Sequence, residues 1–497
     1  MLQTAQALGG MVVAPHHLAA QAGRDVLREG GSAAEATVAA AATIAVVYPH
    51  MNSIGGDGFW LLAEPGRAPV GIDASGPAVT AAGPSFYRDR GYQDAIPARG
   101  PHAALTVPGT VAGWQRALEA PGSGARRMPL ARLLQPAVEH ARRGVAVTTS
   151  MERLLRDKRP DLEGAPGFAE TYMVSGQVPG AGSLLYQPRL ADTLEHLGKE
   201  GLDAFYRGEI AEALARDLLV VDSPISGRDL GRFHADAVTP LALDLACGRV
   251  YNLPAPTQGA ASLMILGLFE RMGVTQAESF AHVHGLVEAT KAAFRVRDRV
   301  ITDPGRLPSD PAAYLDPEWL AAAAGMIQSL YWEFGSGVVS PSTGILLQNR
   351  GMSFSLDPAS LQALEPGRKP FHTLNPAMAR LSDGRTLVYG TMGGEGQPQT
   401  QAAVFSRHVH FGQPLQEAVT APRWLLGRTW GSASTSLKLE SRFDPELIQA
   451  LRRAGHEVEV VGPFVDAMGH AGAISRRTDG LLAGAADPRS DGQVAAV

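Results

Sequence analysis

Two Asp-Gly dipeptides in the last third of the chain constrain its fold more than any other feature. Asp383-Gly384 separates the apolar runs 377–381 and 387–389, and Asp479-Gly480 stands in a similar setting. Asp-Gly is favoured in two-residue hairpin turns because both central residues of such turns require positive φ angles. Apolar runs on both sides of the dipeptide predict a pair of antiparallel strands. The sequence therefore predicts two antiparallel hairpins in this region.

Helical periodicity surrounds these hairpins. Apolar residues recur at helical spacing over 414–421 and 444–454, which lie between the two hairpins. Near the other end of the chain, Ser32 and Glu35 form a capping-box pattern that opens an alanine-rich helix, apolar on nearly every side. Further helices are predicted near residues 128–143, 188–199, 202–218, 258–271 and 277–300. This order of elements predicts an α+β fold in which helices cover an antiparallel sheet.

The charge balance and the apolar stretches exclude several classes of function. The chain has 497 residues, with 44 Lys and Arg against 49 Asp and Glu, a net charge of −5. This weak negative charge provides no basic surface for nucleic acid or an anionic membrane. The longest apolar stretch, 36–48, is shorter than the about 20 residues that cross a bilayer, and residues 1–10 lack a signal-peptide pattern. We therefore expect a cytoplasmic protein with no nucleic-acid or membrane partner.

Cysteine and histidine usage limits the metal chemistry. Cys247 is the lone cysteine, which excludes an internal disulfide framework and a multi-cysteine metal site. His282 with His284, and His408 with His410, are spaced one residue apart. Each pair would share a face only on a strand, and the first pair falls within a predicted helix, where the side chains diverge. The sequence accordingly predicts no metal site.

A glycine pair follows the second strand of the first predicted hairpin, in the segment Gly390-Thr391-Met392-Gly393-Gly394. Glycine allows the backbone to approach a ligand closely, so such a turn can direct two N–H groups at one point. Two converging N–H donors are the requirement for an oxyanion hole. Taken alone, the pattern favours an ordinary glycine turn, and an oxyanion hole is the functional alternative.

Further motifs change this balance through their number and their order along the chain. They are Glu29-Gly30-Gly31-Ser32-Ala33, Gly55-Gly56-Asp57-Gly58-Phe59, Val107-Pro108-Gly109-Thr110-Val111-Ala112-Gly113, Phe205-Tyr206-Arg207-Gly208, Phe334-Gly335-Ser336-Gly337, Gly393-Gly394, Ala421-Pro422-Arg423 and Asp487-Pro488-Arg489-Ser490. Each motif is weak by itself. Together they resemble the gamma-glutamyltransferase family of N-terminal-nucleophile hydrolases over nearly the whole chain.

The resemblance implies a four-layer αββα sandwich that is synthesised as one chain and cut autocatalytically into two subunits. Residues 1–325 would form the large subunit and residues 326–497 the small subunit, both within one αββα domain. In the family, the new N-terminal threonine is the nucleophile and its own α-amino group is the base. The mechanism needs no cofactor. The sequence is compatible with a homo-oligomer.

Four site residues follow from the resemblance by position. Gly393 and Gly394 match the family's oxyanion-hole pair. Thr373 matches one of the pocket hydroxyls, and His372 stands where the family often has another. The resemblance therefore favours an oxyanion hole over an ordinary glycine turn at Gly393 and Gly394.

The first departure from the family concerns recognition of an amino-acid head group. Relatives that act on gamma-glutamyl compounds hold the substrate α-carboxylate with an arginine, where this chain has Ser75. They bind the α-amino group with an acidic residue in the segment that here reads 349–354 and contains no acid. Tyr331-Trp332-Glu333 replaces a polar stretch ahead of Phe334. The pattern resembles the branch that hydrolyses small or acyl amides, including oxamate amidohydrolases and cephalosporin-acylase-like enzymes.

A small anionic amide fits a site with these changes. Its carboxylate could be held by Arg350, His372 or backbone N–H groups, and the residues do not decide among them. Asn349, Tyr331 and Thr373 complete the predicted substrate-binding set. No metal ligand belongs to the predicted site.

The second departure is the absence of the nucleophile. The family's threonine begins a strand that is followed by a hairpin of the form Val-Val-Asp-x-Asp-Gly-x-Ala-Val, which should lie just before residues 327–330. Here residues 319–325 run directly into Met326, and the junction contains no Thr, Ser or Cys. Ser329 lies within the next predicted strand and is not assigned as the nucleophile.

The loss of a central strand can be expressed as a free energy. Roughly three to five buried apolar side chains contribute roughly 1.5–3 kcal/mol each, on the order of 10 kcal/mol in all, which equals the stability of a typical domain. This size favours a sequence from which residues are missing over a naturally shortened protein. It predicts that Gly325 and Met326 lie much farther apart than the about 3.8 Å between consecutive Cα atoms.

Three functions are compatible with these observations. The first is an amidohydrolase that cleaves a small or acyl amide, such as oxamate, through a threonine acyl-enzyme and is made as a self-cleaving proenzyme. The second is a gamma-glutamyl hydrolase or transferase with other head-group contacts. The third is a catalytically inactive relative that only binds a ligand or partner, because the 497-residue chain lacks the nucleophile.

Overall fold

The structure, a computed structural model, describes residues 2–64, 66–120, 128–315, 326–427 and 434–497. Its strands are β1 (Ala5–Ala7), β2 (Met11–Ala14), β3 (Asp57–Leu62), β4 (Val70–Ala74), β5 (Val145–Ala146), β6 (Leu184–Leu185), β7 (Asp236–Val238), β8 (Leu241–Leu245), β9 (Gly248–Asn252), β10 (Met326–Ser329), β11 (Ala377–Leu381), β12 (Thr386–Thr391), β13 (Trp424–Leu426), β14 (Leu437–Glu440), β15 (Val458–Val461), β16 (Ala471–Arg476), β17 (Leu482–Ala486) and β18 (Gln493–Ala496). Its helices are α1 (His17–Arg28), α2 (Ala33–Val47), α3 (Pro84–Arg88), α4 (Thr110–Glu119), α5 (Leu130–Arg143), α6 (Thr149–Leu162), α7 (Phe168–Tyr172), α8 (Pro188–Glu200), α9 (Ala204–Arg207), α10 (Glu209–Val220), α11 (Gly227–Arg232), α12 (Gly259–Arg271), α13 (Phe280–Val300), α14 (Gln397–Phe405), α15 (Leu415–Thr420) and α16 (Pro445–Arg453).

Two antiparallel sheets form the centre of the molecule. The larger sheet has the strand order β1-β17-β16-β12-β11-β9-β8, and the other has the order β10-β3-β4-β7. Each sheet combines strands from both sides of the predicted boundary between residues 325 and 326. The division into subunits stays a prediction, because the residues before Met326 are outside the described ranges.

The two sheets face each other across an apolar layer, and helices cover their outer faces. Phe59 and Leu61 of β3 meet Leu253 and Leu374 in the layer between the sheets. Trp60, on the opposite face of β3, packs in a larger core that includes residues of α1, α2, α4 and α5. A second large core joins strands of the seven-stranded sheet to α12, α13 and α14. This succession of helix, sheet, sheet and helix confirms the predicted four-layer αββα class.

Both predicted hairpins are present. Asp383-Gly384 joins β11 to β12, with Ala377 opposite Tyr389, and Asp479-Gly480 joins β16 to β17. Gly384 and Gly480 have φ angles of 84° and 90°, in the region that glycine enters without a steric penalty. The hairpins are confirmed, but Leu381 bonds to Arg385 and Arg477 bonds to Leu481, so each loop has three residues instead of two. In each Asp-Gly pair only the glycine has a positive φ, as in three-residue hairpin loops that end on a left-handed glycine.

The predicted capping box is present as well. The Glu35 backbone N–H donates to the Ser32 hydroxyl at 3.2 Å, and the Ser32 N–H donates to the Glu35 carboxylate at 2.7 Å. The helix that follows, α2, packs against α1, α4, α5 and β2. Contacts on several sides explain why its sequence is apolar nearly all round.

Two local features differ from the sequence-based expectation. The helix predicted over 202–218 is interrupted at Gly208, which has the extended angles φ −143° and ψ −161° and separates α9 from α10. Glycine is a weak helix former because it loses the most backbone entropy. His408 and His410 lie in a π-helical turn, Ser406–His410, and not on a strand, so they do not share a sheet face.

Two further predictions fall on residues outside the described ranges. They are the surface loop at 121–127 and the separation between Gly325 and Met326. Among the described helices, none combines the length and the apolar character that crossing a bilayer requires.

Candidate active site

The glycine pair lies just beyond the last rung of a β-ladder. Met392 and His470 exchange backbone hydrogen bonds of 3.1 and 3.2 Å at the end of the β12–β16 pair. The next residues, Gly393 and Gly394, have φ angles of 137° and 54°, which side-chain-bearing residues rarely adopt. Among the described residues, the Gly394 N–H donates no hydrogen bond. The Gly394 amide is thus outside the ladder and available to an incoming acceptor.

Gln258 connects this turn to the segment that carries Thr373. Its buried side-chain amide donates to the carbonyl oxygens of Thr373, at 2.8 Å, and Gly394, at 3.0 Å. Its own carbonyl oxygen accepts from Arg297 Nη1 at 3.1 Å. These bonds place two of the predicted site segments side by side. Sequence reasoning did not identify Gln258, and its position directly before the apolar helix α12 was the available signal.

Arg350 is a buried cation beside Thr373. Its Nη1 donates to the Thr373 hydroxyl at 3.1 Å, and its Cζ lies 3.9 Å from the centroid of the Tyr331 ring. Its Nε and Nη2 have no hydrogen-bond partner within the described part of the chain. Burial lowers the pKa of Arg350 to about 10, so the guanidinium stays charged at neutral pH. A buried charge with two unused donors provides a binding site for a small anion.

Tyr331 has an unfavourable backbone conformation that hydrogen bonds from neighbouring residues stabilise. Its φ is 81°, and such a non-glycine conformation costs about 1–3 kcal/mol. The Ser329 hydroxyl accepts the Tyr331 N–H at 2.9 Å, and the Asn349 side-chain oxygen accepts the Trp332 N–H at 3.2 Å. Asn349 also donates to the carbonyl of Ala98 at 2.9 Å. Asn349 therefore supports the turn that presents Tyr331, and its predicted contact with substrate stays a prediction.

His372 is paired with Asp57, a residue to which sequence reasoning assigned no role. His372 Nε2 lies 3.0 Å from Asp57 Oδ2, and both side chains are fully buried. The other Asp57 oxygen accepts from Gly76 N–H at 3.1 Å and from Gln348 Nε2 at 2.9 Å. Because Asp57 accepts these bonds, we assign the His372 proton to Nε2. An acidic residue at the start of an apolar strand was the sequence signal for this pair.

Burial acts in opposite directions on this pair. It raises the pKa of Asp57 to about 6, against the effect of the donors from Gln348 and Gly76. It lowers the pKa of His372 well below its usual value. At neutral pH, His372 is therefore uncharged and oriented by an Asp57 carboxylate. Of the predicted site residues, Arg350 is then the one that carries a positive charge at neutral pH.

The position of the family arginine is occupied by a different arrangement. The Ser75 N–H and hydroxyl donate to Asp73 Oδ1 at 2.8 and 2.5 Å. The nearby Lys369 ammonium donates to Asp73 at 2.8 Å and to Asp236 at 2.9 Å. Because two carboxylates already neutralise Lys369, this lysine does not replace the family arginine as a free positive charge for a substrate carboxylate.

One histidine of each pair, His282 and His408, has partners that keep it apart from this site. Both ring nitrogens of His282 are engaged, with Ser406 Oγ at 2.9 Å and the Glu278 N–H at 3.0 Å. His408 Nδ1 lies 2.8 Å from the Gln413 carbonyl. Neither predicted pair converges on a common point.

Comparison with known proteins gives one family and relatives of nearly equal length. A family model described as gamma-glutamyltranspeptidase matches residues 19–325 and 321–497. An oxamate amidohydrolase proenzyme of Klebsiella pneumoniae is 51% identical, over 98% of this chain and 98% of that protein. A glutathione hydrolase-like YwrD proenzyme of Bacillus subtilis is 38% identical, over 97% of both chains. The crystal structure of a cephalosporin acylase from Bacillus halodurans superposes with a TM-score of 0.92 and 30% identity, covering 100% of this chain and 97% of the other.

The same comparisons bear on the junction before Met326. The family match is divided into two segments that meet at residues 321–325. The alignment with the Klebsiella protein extends over 520 residues, more than the 497 of this chain, so parts of that protein have no counterpart here. The divided match lies where the sequence lacks the expected nucleophile hairpin.

Proposed function

Since the chain belongs to the gamma-glutamyltranspeptidase family, a family of enzymes, we propose that it hydrolyses a small amide that carries a carboxylate. Oxamate is the first substrate to test, because the Klebsiella relative is named an oxamate amidohydrolase. The reaction would use an N-terminal threonine that self-cleavage of a proenzyme exposes. Its products would be ammonia and a dicarboxylate, which is oxalate in the case of oxamate.

The observation that carries this proposal is the buried, charged guanidinium of Arg350 with its two unused donors. Among the described residues, Arg350 forms no ion pair, although it is buried. The nearby Asp57 carboxylate offsets part of this buried charge, and an anionic ligand that accepts hydrogen bonds from the guanidinium would offset more of it. Two free guanidinium N–H groups match the geometry of a carboxylate. A substrate with a carboxylate next to the scissile amide would thus be recognised by Arg350.

The sheet topology indicates where the missing threonine would lie. β10 is an edge strand of its sheet among the described residues, pairing with β3 in the register Ser329 to Asp57. A strand that precedes β10 in a hairpin would run antiparallel to it, so its first residue would lie beside the end of β10. That end is Ser329, which pairs with Asp57 and is separated from Tyr331 by Leu330 alone. The nucleophile would therefore stand next to the predicted substrate-binding residues.

The proposed chemistry proceeds through two tetrahedral intermediates. The threonine Oγ attacks the amide carbon while its α-amino group accepts the hydroxyl proton. The carbonyl electrons move to oxygen, and the resulting oxyanion accepts hydrogen bonds from the Gly393 and Gly394 N–H groups. The C–N bond then breaks and ammonia leaves with the proton from the amino group. Water repeats the sequence on the acyl-enzyme, releasing the carboxylate and restoring threonine.

Self-cleavage is the first prediction of this proposal. Purified protein from the complete coding region is expected to show two bands on a denaturing gel, because cleavage before threonine creates the nucleophile. Intact-mass measurement should place the new N-terminus at a threonine between Gly325 and Met326. A single band with the mass of the 497-residue chain, together with no turnover, would support the catalytically inactive relative and contradict the proposal.

The substrate class is tested by parallel assays of the processed enzyme. Oxamate, its neutral analogue oxamide and a gamma-glutamyl anilide are compared at equal concentration. We expect hydrolysis of oxamate to be fastest, because Arg350 provides a partner for its carboxylate. Faster release from the gamma-glutamyl anilide would assign the protein to the gamma-glutamyl hydrolases or transferases.

Removal of one oxyanion donor is expected to lower kcat by on the order of a hundredfold. Gly394→Pro deletes the backbone N–H but also changes the turn, because proline fixes φ near −65° whereas Gly394 has a φ of 54°. The control Gly394→Ala retains the N–H, and the thermal stability of both variants is measured beside their rates. The rate of ammonia release under saturating oxamate measures the effect. Equal rates in the proline and alanine variants would remove Gly394 from the proposed oxyanion hole.

Loss of the Gln258 bridge is expected to lower kcat by roughly tenfold, because the Thr373 and Gly394 segments lose their shared donor. A buried hydrogen bond that is lost leaves partners unsatisfied at a cost of about 1–3 kcal/mol. Gln258→Leu is compared with Gln399→Leu, which removes a buried glutamine that bonds to Leu426 instead. An equal loss of kcat in both variants, at equal thermal stability, would show that Gln258 has no specific role in positioning the turn.

A further inference from the structure

Three side chains with metal-binding groups meet at the end of the seven-stranded sheet opposite the glycine pair. The Cys247 carbonyl accepts from Ser382 N–H at 2.9 Å, beside the turn that begins β12. Gly393 follows the other end of β12. Six strand residues span about 20 Å, so Cys247 is remote from the proposed active site.

The three side chains come from separate elements. Cys247 lies in the turn between β8 and β9, Glu270 in the last turn of α12, and His410 at the end of the π-helical turn after α14. A sulfur, a carboxylate oxygen and a ring nitrogen from these residues all lie within 4.8 Å of one another. This spacing is compatible with a common ligand bound between them.

Hydrogen bonding within the cluster is incomplete. His410 Nε2 is buried and has no partner among the described residues. The His410 ring packs edge-on against Phe405, with centroids 5.5 Å apart, which fixes its orientation. Glu270 is oriented by the Ala246 N–H, which donates to it at 3.0 Å. Buried polar atoms normally have partners, so the unpaired Nε2 of His410 has the capacity to bind a ligand.

Burial changes the pKa values of all three side chains. Burial raises the pKa of the Cys247 thiol to about 12 and also raises the pKa of Glu270. Burial lowers the pKa of His410. A divalent cation would reverse the first two effects, because a bound metal stabilises thiolate and carboxylate.

We propose that Cys247, Glu270 and His410 bind a divalent transition metal, with Zn²⁺ the best match to their sulfur, nitrogen and oxygen donors. Binding releases the thiol proton to solvent, and the two anionic ligands then balance the charge of the ion. Three protein ligands leave a fourth tetrahedral position for water. The ion would join the β8–β9 hairpin to α12 and to the turn after α14, and so stabilise this edge of the molecule.

In a second cluster, the side chains hydrogen-bond to one another. His284 Nδ1 and His456 Nε2 are hydrogen-bonded at 2.8 Å, and Lys291 Nζ lies 2.7 Å from Glu288 and 3.4 Å from His456 Nδ1. The lysine ammonium already supplies the positive charge there. His284 is therefore the matched control for His410.

Metal binding is tested on protein that has been treated with a chelator and dialysed. Zn²⁺ titrated in a calorimeter should bind with one-to-one stoichiometry, and Co²⁺ should produce a thiolate-to-cobalt charge-transfer absorption. We expect Cys247→Ala and His410→Ala to weaken Zn²⁺ binding by at least roughly tenfold, since loss of even an outer partner costs about 10–100-fold. His284→Ala should leave the Zn²⁺ affinity unchanged.

A second measurement uses the wild-type chain and does not depend on the variants' folding. Because Cys247 is the lone cysteine, its alkylation reports on one site, and Zn²⁺ should slow that reaction. The proposal is wrong if Zn²⁺ neither binds nor slows alkylation, or if it binds equally to Cys247→Ala and His410→Ala. Both measurements are independent of amide hydrolysis, so they separate this site from the proposed function.

Discussion

Arg350→Met is expected to reduce kcat/KM for oxamate by about a thousandfold. The substitution keeps a long apolar stem near Tyr331 but removes the guanidinium that would bind the substrate carboxylate. Truncation of one partner in a buried, hydrogen-bonded charge pair costs about 2–5 kcal/mol, and 1.4 kcal/mol corresponds to a factor of about 10. The loss should appear chiefly in KM, because the carboxylate contact exists before and during the reaction.

Oxamide provides the control for this prediction, since it replaces the carboxylate with a neutral amide of similar size. The wild-type enzyme should prefer oxamate to oxamide, and Arg350→Met should lose that preference while its rate with oxamide changes little. Arg350→Lys should give an intermediate result, because lysine keeps the charge but lacks the paired N–H geometry. A variant without Arg350 that still discriminates oxamate from oxamide would contradict the assigned role.

The protein is expected to lose most of its free energy of unfolding as the pH falls from 6.5 to 4. Besides His372, four buried histidines have strongly lowered pKa values in the folded state: about 4 for His16, His282 and His470, and about 3 for His50. Burial is the first cause in each case, because a charged imidazolium loses its hydration in the core.

The sign of this dependence follows from proton binding. Below pH 6.5 the unfolded chain binds protons on these histidines and the folded chain does not, so stability falls as the pH decreases. A pKa difference of one unit corresponds to about 1.4 kcal/mol, so each histidine contributes roughly 3 kcal/mol at pH 4. Four such groups contribute on the order of 10 kcal/mol, comparable to the stability of a whole protein. Asp57 acts in the opposite direction, since its raised pKa favours the folded state below pH 6.

Urea unfolding at pH 7.5, 6, 5 and 4 measures this prediction. His50→Phe tests the contribution of one histidine directly, because both His50 ring nitrogens are buried and have no hydrogen-bond partner in the described part of the chain. The phenylalanine variant should unfold less readily at pH 4 and show a weaker pH dependence. His234→Phe, at an exposed position, should retain the wild-type dependence. A free energy of unfolding that stays constant from pH 7.5 to 4 would contradict the assignment of neutral buried histidines.

In the candidate site, the sequence predicted features formed by adjacent residues but not contacts between distant ones. Gly393 and Gly394 could be located because their pattern and the turn they form involve adjacent residues. The pairing of His372 with Asp57 could not, because 315 positions separate the two residues. The role of Asn349 was equally hidden, since its amide supports the Tyr331 turn through contacts that only packing creates.

By itself, the sequence determined the Asp-Gly hairpins, the Ser32 capping box and most helices, because turn geometry, capping and apolar periodicity act over a few residues. It also determined the four-layer class through its ordered motifs. Only the tertiary structure decided that Gln258 joins Thr373 to Gly394, that Lys369 is already neutralised, and that the buried Arg350 forms no direct ion pair with another described residue. These outcomes depend on which distant side chains exclude water together, and that is a property of the packed molecule, not of any local stretch of chain.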